Sequence, residues 1–123
     1  MGNEVILIEP SSRIGGLTTG GLGQTDIGNK QVIGGIALEF YQNIKKHYEN
    51  PNNWIWQEKS EYKDGGQTRS SVTEDAMWTF EPSAALTVLN EMINDNNIKV
   101  FYNERLERKK GVKKNKNLSL IHI

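Results

Sequence analysis

The order of apolar and polar positions divides the chain into a few elements. Val5, Ile6, Leu7 and Ile8 form an unbroken apolar run between Glu4 and Glu9. Such a run, closed by Pro10, predicts a strand buried on both faces, as in a parallel sheet covered by helices. Between Ile36 and Tyr48 the apolar residues Ile36, Ala37, Phe40, Tyr41, Ile44 and Tyr48 recur at three- and four-residue steps. That spacing predicts an amphipathic helix, ended by Pro51. Pro82 opens a second helix, with Ala85, Leu86, Leu89, Met92 and Ile93 on one face. Proline suits a first helical position because its missing N–H has no partner there anyway. The run Asn94-Asp95-Asn96-Asn97 stops it, and Ile98 to Asn103 reads as a β-branched and aromatic strand.

Two segments resist periodicity. Gly15 to Gly35 holds most of the twelve glycines, interspersed with Leu, Ile and Val. A long irregular loop is uncommon in a compact domain unless it serves a function, so a ligand-binding loop is expected here. Asn52 to Thr73 is polar, with a turn at Asp64-Gly65-Gly66. In it Trp54, Ile55 and Trp56 are expected to pin the segment to the core, with Trp54 and Trp56 as anchors rather than a substrate platform. The element order is strand, glycine-rich loop, helix, insertion, helix, strand, which suits parallel strands joined by helical crossovers.

Composition narrows the chemistry. The 123 residues carry 15 basic and 15 acidic side chains and no cysteine. One domain is the prior at this length. The missing cysteines exclude disulfides, thiolate metal sites and cysteine nucleophiles from this chain. Neutral charge argues against a globally basic nucleic-acid binder. No apolar stretch approaches a membrane span, and no basic-then-apolar leader is present. The compartment is left open, cytoplasm being the default. Seven basic residues crowd between Arg105 and Lys116 against Glu107 alone, which reads as a solvated hairpin or frayed end, with a patch for an anionic partner as the alternative.

Leu118 to Ile123, LSLIHI, has no turn or cap relating it to what precedes. It is expected to be a tail outside a domain of residues 1–117, either an artefactual terminus or the start of another strand. The sequon at Asn117 reads as chance.

No catalytic acid or base stands out. His47 falls on a polar helix face and His122 in the tail, so no metal-ligand spacing arises. Asp26 reads as a turn residue or a carboxylate behind a site. No G-x-S-x-G elbow or P-loop occurs.

The positions that do suggest chemistry follow the first strand. Glu9 is an acceptor-only carboxylate at a strand's carboxyl end, where dinucleotide-binding folds hydrogen-bond a ribose. From it the chain reads E-x-x-x-R-x-G-G through Arg13, Gly15 and Gly16. That pattern resembles the second signature of glutathione-reductase-type flavoproteins. The longer run EPSSRIGGLTTGGLGQTDIGNKQVIGGIALEFY, with Phe80-Glu81-Pro82 before the second helix, resembles the FAD-dependent oxidoreductase family related to heterodisulfide reductase.

The resemblance implies an α/β, partial FAD/NAD(P)-binding Rossmann-like domain with a mostly parallel sheet. It implies Glu9 on the adenosine ribose and Arg13 near the adenosine phosphates. Gly15, Gly16, Thr18, Thr19, Gly20 and Gly21 would run along the pyrophosphate toward the flavin ring, and Leu106 would offer a backbone contact to adenine. Each threonine reads equally well as a turn hydroxyl. The implied partner is a small-molecule substrate or an electron carrier. Some relatives carry a 4Fe–4S cluster, whose thiolate ligands this chain cannot supply.

The family opens with a strand, G-x-G-x-x-G and a helix, which seat the pyrophosphate. This chain opens at Met1-Gly2-Asn3 directly before what would be the second strand. It therefore reads as an internal fragment, incomplete at both ends, inactive alone and prone to aggregate through uncovered apolar edges. Two other readings stay open: a piece of an NAD-dependent Rossmann dehydrogenase, and a non-catalytic or inert dinucleotide-binding module.

Overall fold

A computed structural model describes residues 4–24, 28–63, 75–107, 112–115 and 118–121. Its elements are β1 (Ile6–Glu9), α1 (Gly16–Gly20), α2 (Gly35–His47), α3 (Pro82–Asp95), β2 (Lys99–Tyr102), β3 (Val112–Asn115) and β4 (Leu118–Ile121). Single 3-10 turns occur at Lys30–Val32, Pro51–Asn53 and Lys59–Glu61. Asp26, the Asp64-Gly65-Gly66 turn and His122 lie outside the described residues.

β1 and β2 pair in parallel, Ile6 opposite Lys99 and Glu9 opposite Tyr102. Parallel neighbours need a crossover connection, and α2 and α3 lie within it. The chain is thus mixed helix and strand around a small parallel pair, as the element order predicts. β3 and β4 form a separate antiparallel hairpin, so Leu118–Ile121 is a strand joined to the preceding basic segment.

The helices begin and end for local reasons. α2 carries Lys45, Lys46 and His47 in its last turn, where positive charge suits the negative end of the helix dipole. α3 opens with Pro82 at its first position, and the Ala85 amide bonds the Glu81 carbonyl. It stops at Asn96, and Asn97 takes the left-handed conformation (φ 53°) that asparagine tolerates beyond a helix end.

The core lies between α2, α3 and the extended segment before α3. Tyr41, Ile44, Tyr48, Met77, Trp78, Phe80, Ala84, Ala85 and Val88 are buried together. The extended segment is held on both sides by backbone bonds. The Met77 amide donates to the Tyr41 carbonyl at 3.0 Å and the Phe80 amide to the Gly23 carbonyl at 2.8 Å.

Several expectations are corrected. β1 is not buried on both faces: Val5 and Ile6 are about half exposed, at 53% and 51%. Its main contact is with β2, while the helices pack on one another. The glycine-rich segment is not wholly irregular, since it contains α1 and a 3-10 turn. Ile36 and Ala37 do not join the α2 core and stay exposed. The deepest face of α3 is Ala84, Ala85 and Val88, with Leu86, Leu89, Met92 and Ile93 only half-buried. Small side chains there let Trp78 and Tyr41 fill the space, and one tilted pair sets their rings 4.4 Å apart. Of the expected loop anchors, Trp54 packs on the core, but Ile55 and Trp56 face solvent.

Candidate functional site

The site grows from the carboxyl end of the parallel pair. The chain leaves β1 at Glu9 and turns through Pro10 into Ser11. The Ser11 amide donates to Glu9 Oε1 at 2.8 Å. Ser11 Oγ lies 2.6 Å from the same oxygen and 2.7 Å from the Arg13 carbonyl, so one hydroxyl proton serves two acceptors. It also accepts the Arg13 amide at 3.1 Å. These donors, the hydroxyl first and the amide second, favour the charged carboxylate and hold the Glu9 pKa below its ordinary 4.5. Among the described residues Oε2 takes no hydrogen bond. Glu9 is therefore an oriented anion with one committed oxygen and one available.

The end of β2 is tied to the same place. The Asn103 amide donates to the Ser11 carbonyl at 3.1 Å, and the Glu104 amide to the Glu9 carbonyl at 3.2 Å. The loop holding Leu106, itself half exposed, therefore leaves the sheet beside Glu9. In open α/β sheets, the crevice beyond the carboxyl strand ends is where ligands bind.

The next residues fold back on themselves. Arg13 Nη1 donates to the Thr19 carbonyl at 2.6 Å, and the Thr19 hydroxyl donates to the Ile14 carbonyl. Thr19 is completely buried and Ile14 nearly so. The Thr19 side chain is thus a strut inside the loop, whereas Thr18 is half-buried and lines a cleft. That cleft, about 610 Å³, lies between α1, α2 and α3 and includes Gly15, Ile36, Phe40 and Leu89.

Gly15 has φ +92°, and a Cβ there would collide with the Thr19 side chain and sit 2.7 Å from Leu89 Cδ1. Both the backbone angle and the lack of room demand glycine. Gly16, Gly20 and Gly21 are exposed, with open space around them.

The structure thus brings Glu9, Arg13 and the Leu106 loop to one sheet end, with Gly15, Gly16, Gly20 and Gly21 on the adjoining turn. It turns Thr19 inward. Sequence reasoning missed Ser11, although a hydroxyl two residues after a strand-end carboxylate is the spacing of a side-chain-to-backbone turn. It also missed Lys30, 1% exposed with Nζ 5.2 Å from the Trp78 ring centre. Nothing in the local pattern around Lys30 announces its burial.

Among the described residues no three His, Asp or Glu side chains gather as a metal site. Among them, too, no helix is long and apolar enough to cross a membrane. Comparison with known families gives a match, over residues 1–123, to the family described as FAD dependent oxidoreductase. No curated protein and no solved structure matches the chain.

Proposed function

The chain belongs to the FAD dependent oxidoreductase family, and from that premise we propose that its Glu9–Gly21 segment holds the adenosine and pyrophosphate half of FAD. Family membership supports flavin-dependent oxidoreduction and FAD binding in the full protein. The assignment of individual residues goes beyond it.

One observation carries the reading: the Glu9 carboxylate stands at the carboxyl end of a parallel strand, kept ionised by Ser11, with Oε2 available. An ionised acceptor held at that position suits ribose hydroxyls, which need acceptors for their protons. The residues present fit the group in a second respect. Gly16, Gly20 and Gly21 leave the turn open to a close approach by a ligand. Arg13, spanning to the Thr19 carbonyl, places a fixed cation on the same turn. Bound flavin supplies the electron and hydride chemistry, and these residues anchor its far end.

Two finer points belong to the same proposal. The E-x-x-x-R-x-G-G spacing supports a place among glutathione-reductase-type flavoproteins related to heterodisulfide reductase. The exposed apolar β1 supports a role as one part of a larger FAD-binding domain, because parallel strands are normally covered on both faces. The substrate is a small molecule or electron carrier whose identity these residues do not specify.

The test is Glu9→Gln and Glu9→Ala in the full-length flavoprotein, with bound FAD read from flavin absorbance after dialysis. Losing a charged acceptor should weaken FAD retention about tenfold or more. Unchanged retention in both variants would remove Glu9 from the cofactor site. A parallel titration with NAD should show no comparable binding.

A further inference from the structure

A second pocket, about 380 Å³, lies away from the sheet end, between the end of α2, the 54–63 segment and the strand-like 77–81 segment. Its wall contains three aromatic rings in a chain. Tyr48 and Trp54 have centroids 4.9 Å apart, and Trp54 and Tyr62 5.7 Å apart. The polar ends of all three rings are spent on the protein. Trp54 Nε1 donates to the Tyr48 carbonyl at 2.8 Å, the Tyr62 hydroxyl to the Thr79 carbonyl at 3.1 Å, and the Tyr48 hydroxyl to Glu81 Oε2 at 3.1 Å. The rings therefore line the pocket with aromatic surface while their polar ends are already bonded.

Two carboxylates share this wall. Glu61 uses Oε2 to accept the Glu58 amide at 3.0 Å, and Glu81 uses Oε2 for Tyr48. Among the described residues the other oxygen of each takes no hydrogen bond. Among the described residues of the lining, Lys63 is the one cation beside the two carboxylates Glu61 and Glu81, so that lining is formally negative. Ring faces attract cations through their quadrupole, and nearby carboxylates add to that field. An anion would meet the two carboxylates.

We propose that this aromatic and acidic pocket binds a small organic cation of the alkylammonium class. The volume lies within the range of small-molecule pockets. This inference does not depend on the FAD reading.

The test is a titration of the full-length protein with choline chloride at constant ionic strength, followed by NMR. The indole N–H of Trp54 is the reporter, and that of the exposed Trp56, outside the pocket lining, is the internal control. Choline should shift the Trp54 signal saturably and leave Trp56 in place. Its neutral isostere 3,3-dimethylbutan-1-ol should bind roughly tenfold more weakly. Glu81→Gln, which keeps an acceptor for Tyr48, should weaken choline several-fold. If that variant loses its native spectrum, Glu61→Gln serves in its place, with the same expectation. Equal affinity for the isostere, absence of saturation at Trp54, or unchanged affinity in the carboxylate variants would overturn the proposal.

Discussion

The Phe80 amide donates to the Gly23 carbonyl at 2.8 Å, and a Cβ on Gly23 would lie 2.5 Å from the Phe80 carbonyl oxygen. The glycine-rich segment is therefore held to the extended segment before α3 through the backbone of both. Neither backbone can yield without breaking that bond.

Gly23→Ala should thus lower stability by about 1–3 kcal/mol, the cost of overpacking a tight contact. Gly20→Ala is the contrast. Gly20 lies in α1, with open space around it and no positive φ, so alanine there should be neutral or slightly stabilising. Urea unfolding of the two variants side by side measures the difference. Equal effects would mean that Gly23 does not hold this contact in solution.

Thr19→Val keeps the shape of a fully buried side chain and removes the hydroxyl bonded to the Ile14 carbonyl. Leaving that carbonyl without its donor should cost about 1–3 kcal/mol. Thr18→Val, at the half-buried cleft position, should change stability by less than about 0.5 kcal/mol. Thermal melts of both variants would separate a structural threonine from one that faces the cleft.

Ser11→Ala removes the donor that contributes most to lowering the Glu9 pKa. The Glu9 carboxyl should then titrate closer to 4.5, as followed by carbon-detected NMR. With the folded pKa below the unfolded one, the carboxylate stabilises the fold above about pH 4.5, and that contribution fades as pH falls through the lowered value. The Ser11→Ala chain should show less of this acid sensitivity. An unaltered Glu9 titration would show that the Ser11 hydroxyl does not orient the carboxylate.

Tyr48 supplies the alkaline counterpart. Burial, with the Glu81 charge adding to it, pushes its hydroxyl up to about 12 from 10.0. The folded chain thus holds this proton more tightly than the unfolded chain. Stability from the protonated Tyr48 is complete below about pH 10 and is lost as pH rises toward 12. Tyr48→Phe should flatten that alkaline decline in a series of unfolding curves between pH 9 and pH 12. A decline of undiminished slope would assign it to other groups.

Much of the architecture was legible locally. The three- and four-residue spacing from Ile36 to Tyr48 and the Glu81-Pro82 start of α3 mark their helices, because side chains one turn apart share a face. The asparagine run after Ile93 marks a stop. Which apolar residues lie deepest was less legible. Ile36 belongs to the helical stripe yet stays 73% exposed, because α3 and the 76–80 segment cover only the later turns of α2. In the candidate site, Glu9, Arg13 and the glycines were readable from their spacing, whereas the inward turn of Thr19 was not. A threonine in a glycine-rich loop has the same sequence signature whether its hydroxyl meets a ligand or the Ile14 carbonyl.

By itself, then, the sequence determined β1, α2, α3 and β2 as elements, the ends of the two long helices, the glycine-rich segment after a strand-end glutamate and the lack of cysteine thiolates in this chain, whereas α1 and the β3–β4 pairing were not legible in it. The tertiary structure decided that β1 pairs in parallel with β2 and that the loops beyond Glu9 and Tyr102 are bonded together. It also decided that Tyr48 meets Glu81 across 33 positions. Periodicity, capping and turn preference act within a few residues and are written locally. Strand partners, burial and shared protons depend on which distant segments share a surface, and only packing specifies that.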